Sequence, residues 1–418
     1  MAIYNILGGK ELSGTISVGG SKNATLPIIC GTLLTSEQCV LKNVPQISDV
    51  DVMIQILQDL GSKIVYEKHT LTIDNSGVNS YQPKAELVKK LRGSILMMGP
   101  LLARFKKVVM PVPGGDLIGK RPIDAHLMGM RELGATVIEG ENLELSTDKL
   151  VGQRIILPEM SVTATENIIM AAVLAEGLST VHLAATEPHV QDLCRMLNAM
   201  GAKISGVGTH DLKIEGVKEL HGVEHTIIFD NEVASSYINL AAATKSEVTI
   251  DNIQPDYLNG ALIQWKMMNV NFEITNNSVR VKKPIGAYKA ATIKTSIYPG
   301  LLTDYVPPFA VLATQAEGTS LIHEWMYEGR LGYIHELSKM GAKVKLLDPH
   351  RAEIIGSTQL HGTNVSSLDV RSGMVCVIAA LVAEGKSVLH DVEHIERGYE
   401  GIVEKLKSLG ADITRYEH

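Results

Sequence analysis

Aromatic side chains are scarce: four Phe, two Trp and twelve Tyr in 418 residues, or 4%. That leaves few platforms for stacking unpaired bases and argues against a single-strand nucleic-acid binder. Basic residues are not in surplus either. The formal net charge is −7, so no general polyanion footprint exists and no nucleic-acid partner is expected. Only four cysteines are present, Cys30, Cys39, Cys194 and Cys376, and none forms a CxxC pair. They read as buried free thiols of a reducing compartment. No apolar run nears the ~18 residues of a membrane span, so no membrane partner is expected. The opening Met1–Lys10 stretch lacks a basic segment followed by an apolar one, so a cytoplasmic location is expected. The His221/His225 and His390/His394 pairs have HxxxH spacing, but no Cys or carboxylate cluster completes a metal site. Neither a metal nor a cofactor is expected. The phosphate-loop pattern GxxxxGK[ST], a strand-linked GxGxxG and a GxSxG elbow are all missing.

What is present is a repeat. An amphipathic helix ends in Leu/Met-Gly-Ala and runs into a polar and then a β-branched residue. The phrase falls at Gly61, Gly134, Gly201, Gly341 and Gly410, with a degenerate copy at Asn269, and successive copies lie 67–73 residues apart. That period is too long for a solenoid and suits a small α/β unit. Each glycine is placed just after a helix, where a left-handed residue ends it, and Asn is the next best occupant. A second phrase, Ala-Glu-Gly at 175–177, 316–318 and 383–385, closes an earlier helix in the unit. Each unit reads helix A, strand, loop, helix B, strand, strand, with final strands such as Thr70–Asp74, Leu143–Ser146, Asp211–Glu215 and 278–282. Six units predict two lobes of three, 22–229 and 1–21 plus 230–418.

Equivalent positions in the repeat carry unusual charge. Helix A is expected to start at Lys22-Asn23, Arg92, Thr165-Glu166, Ser235-Ser236, Asp304 and Asp369/Arg371. A cation in a first turn opposes the helix dipole by about 0.3–1 kcal/mol, whereas free N–H groups there favour anions. Lys22, Arg92 and Arg371 therefore point to anionic ligands. Asp304 and Asp369 read equally well as N-caps. Arg121, Arg330 and Arg397 lie 13, 11 and 13 residues before their glycines, a common register for residues that grip phosphate or carboxylate in two-point fashion. The longest loop, 111–122, holds three glycines between prolines and suits a mobile lid.

Several motifs resemble the UDP-N-acetylglucosamine enolpyruvyl transferase family across the whole chain. They are Gly20-Ser21-Lys22-Asn23-Ala24, Pro113-Gly114-Gly115 with Gly119, Arg121-Pro122-Ile123-Asp124-Ala125-His126, 161–167, 369–373 and 394–400. The resemblance implies an α/β fold of two inside-out barrels, each of three βαβαββ units. It implies that the N-terminal strand returns to the C-terminal lobe. It also implies transfer of the enolpyruvyl group of phosphoenolpyruvate to the 3-hydroxyl of UDP-N-acetylglucosamine, with release of phosphate, as the first committed step of peptidoglycan synthesis. Lys22, Arg121 and Arg397 would grip the phosphate region, with Arg92 in the same cationic set. Arg330 and Arg371 would hold the carboxylate. Asn23, Pro122, Ile123, Asp124, Ser161, Val162, Thr163, Asp304 and Met326 would bind the UDP-sugar. Asp304 would be the base, Asp369 would handle the methylene proton or the collapse of the intermediate, and Asp116 would stand in the lid.

The chain departs from the family pattern at six places. Asp116 replaces the lid cysteine, a known alternative, and implies insensitivity to fosfomycin, an epoxide that alkylates a thiolate there. Tyr305-Val306, Asn231, Gly329, Thr163 and Met160 replace residues usual on the acceptor side. Those five admit a second reading, the same chemistry on another uridine nucleotide in a specialised pathway.

Overall fold

The computed structural model describes residues 2–114 and 122–417. They divide into two compact units, one of residues 2–19 and 229–417, the other of residues 20–114 and 122–228.

In both units the repeat separates two kinds of helix by how they are buried. The first helix of each repeat is buried nearly all round, polar residues included. All thirteen residues of Asn231–Ala243 and all nine of Val306–Thr314 are buried, as are twelve of thirteen in Val370–Val382. Their counterparts in the other unit are Lys22–Gly31, Met98–Phe105 and Val162–Ala172. The second helices, such as Ser48–Leu60, bury one face only, seven residues of thirteen. Helices thus form the centre of each unit, with sheets and amphipathic helices outside. This is the inside-out arrangement.

The helix-ending residues behave as their spacing predicts. Gly61, Gly134, Gly201, Gly341 and Gly410 have φ between 93° and 111°, and Asn269 has φ 62°. Backbone of that hand is costly for residues with a Cβ, which explains the glycines. The strands Thr70–Asp74, Leu143–Ser146 and Asp211–Glu215 form as read, and the fourth is Ser278–Val281.

Sheet order repeats as well. In the third repeat, Arg154–Ile156 precedes the inner helix and lies parallel to Leu178–His182, which follows it. The hairpin strands Lys203–Ser205 and Asp211–Glu215 complete the sheet antiparallel. Two repeats obtain that leading strand from a distant part of the chain. Ser13–Ser17 precedes the Lys22 helix in sequence but pairs with Glu247–Asp251. Glu224–Thr226 pairs instead with Cys39–Lys42. The N-terminal strand Ala2–Leu7 lies antiparallel between Lys386–His390 and Asp412–Glu417, placing Tyr4 opposite Arg415.

Three helix starts differ from expectation. The helix expected at Thr165-Glu166 begins at Val162 after Ser161, so Glu166 lies inside it. The one expected at Ser235-Ser236 begins at Asn231, because Asp230 caps it by accepting from the Val233 amide at 2.9 Å. Asp304 is not a cap: the helix starts at Val306, with Pro307 in the first turn, where a missing N–H costs nothing. All four cysteines are buried free thiols, as read.

Candidate active site

In the unit of residues 229–417, the carboxylate of Asp304 is clasped by two arginines. Arg330 Nη2 donates to Oδ1 at 2.6 Å and Arg371 Nε donates to Oδ2 at 3.1 Å. Both arginine side chains are about 5% exposed or less, whereas Asp304 is 23% exposed. Burial alone would discourage the charged guanidinium. For Arg330 the Asp304 carboxylate reverses that, and for Arg371 Tyr399 and Asp304 do, so both are held charged. Arg330 Nη1 also donates to Thr303 Oγ1 at 3.2 Å, and Thr303 donates to the buried Glu324 at 2.6 Å. The other Glu324 oxygen accepts from the Met326 amide at 2.9 Å. Arg371 lies over the Tyr399 ring at 5.5 Å and donates to its hydroxyl at 3.3 Å, and that hydroxyl pairs with Ser236 Oγ at 2.7 Å.

Asp369 does cap its helix. It accepts from the Arg371 and Ser372 amides at 2.8 and 3.2 Å, and the Ser372 hydroxyl completes a capping box. The cap sets the start of the helix and with it the place of Arg371. Arg397 follows the short helix Glu393–Glu396. A Cβ on the next residue, Gly398, would meet Val370 Cγ1 at 2.5 Å, so the Arg397 loop lies against the start of the Arg371 helix.

In the unit of residues 20–228, Lys22 opens a helix capped by Ser21, whose hydroxyl accepts from the Ala24 amide. Its Nζ lies 3.5 Å from Asp49, and both side chains are largely buried. Asn23 follows on the same first turn. Arg92 opens a 3-10 turn and donates to the Pro113 carbonyl at 3.4 Å. Pro122, Ile123 and Asp124 lead into the helix Asp124–Glu132, and Ser161, Val162 and Thr163 begin the helix Val162–Ala172. Asp116 and Arg121, with Gly115, Gly119 and Lys120 of the lid, lie outside the described residues.

Thr163 has a function that its place in the motif did not reveal. Its hydroxyl lies 3.1 Å from His126 Nε2, and His126 Nδ1 lies 3.0 Å from the amide nitrogen of Asn167. Since Asn167 donates, Nδ1 accepts and Nε2 carries the proton. Burial, and then the charge of Arg92, push His126 down to about 3, so the ring is neutral. Asn167 also accepts from the Gly99 amide and donates to the Ile95 carbonyl, tying the second and third repeats together. One turn on, Glu166 is fully buried and its Oε1 has no partner among the described residues. Burial and then Glu187 hold it far above the usual carboxylate range, as a neutral acid.

A cavity of about 460 Å³ in this unit is lined by Arg104, Lys106, Lys218 and His221, and none of the candidate residues lines it. No group of three or more His, Cys, Asp and Glu suited to a metal exists among the described residues. No helix among them is long and apolar enough to cross a membrane.

Tyr399, Ser236, Thr303, Glu324 and His126 were not assigned roles from sequence. Tyr399 and His126 lie inside motifs already singled out. Thr303 and Glu324 carry no local signal, because they act through folded contacts.

The family model for EPSP synthase (3-phosphoshikimate 1-carboxyvinyltransferase) matches residues 6–406. A UDP-N-acetylglucosamine 1-carboxyvinyltransferase of Treponema denticola is 44% identical, with 99% of each chain covered. One of Bacteroides fragilis is 42% identical, covering 99% of this chain and all of the relative. Among solved structures, the enolpyruvyl transferase NikO from Streptomyces tendae superposes with a TM-score of 0.89 at 23% identity, covering 99% of this chain and 98% of that one. An EPSP synthase from Acinetobacter baumannii gives 0.79 at 21%, with both chains fully covered. These two likenesses establish the enolpyruvyl transferase fold. By its full-length identity to the curated relatives, this chain belongs to the UDP-N-acetylglucosamine 1-carboxyvinyltransferase family.

Proposed function

We propose that this protein transfers the enolpyruvyl group of phosphoenolpyruvate to the 3-hydroxyl of UDP-N-acetylglucosamine and releases phosphate, opening peptidoglycan synthesis in the cytoplasm. The observation that carries this reading is identity of 42–44% over nearly the whole chain to relatives named for that reaction. Their shared name favours UDP-N-acetylglucosamine over another uridine nucleotide as acceptor.

In this reading the substrate hydroxyl adds to C2 of phosphoenolpyruvate while a proton reaches C3. Loss of the C3 proton and of phosphate then restores the double bond. Asp304 takes the hydroxyl proton. Its clasp by Arg330 and Arg371 supports a simple exchange: the phosphoenolpyruvate carboxylate takes over the two guanidiniums and frees Asp304. Lys22, Arg92, Arg121 and Arg397 stabilise the departing phosphate. Asp369 orients Arg371 through its cap and handles the C3 proton. Asn23, Pro122, Ile123, Asp124, Ser161, Val162, Thr163 and Met326 hold the UDP-sugar, and Asp116 serves in the lid. No cofactor takes part in this scheme.

The test is phosphate release from phosphoenolpyruvate with UDP-N-acetylglucosamine, other UDP-sugars, UMP and shikimate 3-phosphate offered separately. Release should be fastest with UDP-N-acetylglucosamine. Faster release with any other acceptor would overturn the assignment.

A further inference from the structure

The short helix Glu393–Glu396 leads directly into Arg397 and is gripped by both ends of the chain. Glu393 Oε1 accepts from the Ala2 amide at 2.7 Å. Three residues on, and so on the same face, Glu396 Oε1 accepts from the Tyr4 hydroxyl at 2.9 Å and from Arg415 Nε at 2.7 Å. Arg415 Nη2 adds a contact to Glu396 Oε2 at 3.3 Å, while its Nη1 is held by Glu417 at 2.7 Å. Tyr4 and Arg415 are directly opposed on neighbouring antiparallel strands, so their side chains share one face of the sheet.

The other side of the helix is fixed by packing. Ile395 is fully buried, and a Cβ on Gly373 would meet its Cγ1 at 2.4 Å. Beyond Arg397, the Tyr399 hydroxyl is tied to Ser236 and Arg371. Arg397 is thus anchored one residue before and two residues after.

We propose that Tyr4 and Arg415 are positioning residues for Arg397, acting through Glu396. The inference rests on the reading of Arg397 as a phosphate-gripping residue. An exposed ion pair alone contributes little. Here a two-point guanidinium contact and a phenol on a fully buried ring converge on one carboxylate, and sheet register sets both donors. A grip of this kind limits the angles at which the next residue leaves the helix. A small misplacement of a charge that acts on the transition state is costly.

The experiment is a double-mutant cycle with Tyr4→Phe, Arg415→Ala, Arg415→Lys and Arg397→Ala, read by steady-state and single-turnover kinetics beside denaturation midpoints. Arg415→Ala should raise KM for phosphoenolpyruvate, or lower kcat/KM for it, about tenfold, the size of one charge-assisted contact. Tyr4→Phe, which removes one oxygen and leaves the ring, should cost about threefold. KM for UDP-N-acetylglucosamine should stay within about twofold, and Arg415→Lys should recover part of the loss. In the Arg397→Ala background, Tyr4→Phe and Arg415→Ala should cost nothing further.

Equal losses in both backgrounds would mean a structural role and overturn the proposal, as would an unchanged kcat/KM in the two single variants. Should Arg415→Ala fold poorly, Tyr4→Phe decides alone. Wild-type protein that does not consume phosphoenolpyruvate, or an Arg397→Ala variant as active as wild type, overturns the functional reading instead.

Discussion

Among residues 229–417, the Asp304 carboxylate is met by two buried guanidiniums, and Asp369 is met by two amides and a hydroxyl. Among residues 20–228, Glu166 lies on the inner helix of the third repeat and is fully buried, yet its Oε1 has no partner among the described residues. Each unit also holds a fully buried glutamate that burial drives toward its neutral form, Glu166 in one and Glu232 in the other, whereas the site carboxylate Asp304 is given two cationic partners. The basic groups of the two units do diverge. Arg371 is driven further toward its charged form, while His126 is driven to its neutral one. A shared chain path therefore does not imply shared electrostatics. Which form a group takes depends on what the neighbouring repeat brings within about 3 Å, because an unpaired buried charge is far costlier than a paired one.

The largest effect should come from breaking the Asp304 clasp. Asp304→Asn keeps the shape but leaves two buried guanidiniums without that anion, and should lower stability by roughly 3 kcal/mol. Denaturant titration checks this. The same variant should retain UDP-N-acetylglucosamine binding while turnover falls about 100-fold or more. Near-normal turnover would refute its assignment as the base. Arg397→Ala should come next, losing at least ~2 kcal/mol of transition-state stabilisation in kcat/KM for phosphoenolpyruvate. A loss below about threefold would remove Arg397 from the phosphate grip.

Acidification should sharpen the contrast on the other side. His126 is held at about 3 in the folded state against 6.5 in the unfolded one, so below pH 6.5 the unfolded chain binds a proton that the folded chain refuses. Its contribution to stability is complete above about pH 7.5 and falls as pH drops toward 3, by up to about 1.4 kcal/mol per pH unit. His126→Gln should flatten that slope between pH 6.5 and 4, as measured by denaturant midpoints. An unchanged slope would mean that the ring is charged.

Glu166 should show the opposite sign. Its folded-state value is raised, so its burden is absent below the ordinary value of 4.5 and grows as pH rises toward the folded one. Glu166→Gln should therefore gain about 1 kcal/mol at pH 8 and little at pH 4, the size of an unmet buried polar group. A loss at pH 8 would show that the carboxyl has a partner.

The repeat was open to view because its signal is local. A glycine or asparagine after an apolar-periodic helix marks a left-handed residue wherever the helix packs, and all six positions adopted it. Helix starts at Lys22 and Asp369 were legible for the same reason, since a cap and its first turn are neighbours in sequence. The misplaced start at Ser235 follows from a better cap, Asp230, a few residues earlier, whereas the helix expected at Thr165 begins after Ser161, whose side chain makes no capping bond. Asp304 stands out in sequence as a charge at one of the equivalent repeat positions, but its two arginine partners are 26 and 67 residues away. Thr163 shows the same limit. It read as a departure from a glycine, and only the fold placed it against His126, 37 residues earlier.

Sequence alone determined the period of the repeat, the one-faced apolar pattern of each second helix, the left-handed residue that ends it, and the helix starts at Lys22 and Asp369. Each of these follows from side chains within a few turns of one another. The tertiary structure decided which strands complete which sheets. Ser13–Ser17 and Glu224–Thr226 each pair away from the helix that they precede. A sheet edge offers the same backbone N–H and C=O groups to any strand, so short local sequence does not choose among edges. The structure likewise decided the protonation of Glu166 and His126 and the clasp on Asp304. Those are set by desolvation and by partners that come together only when distant repeats pack.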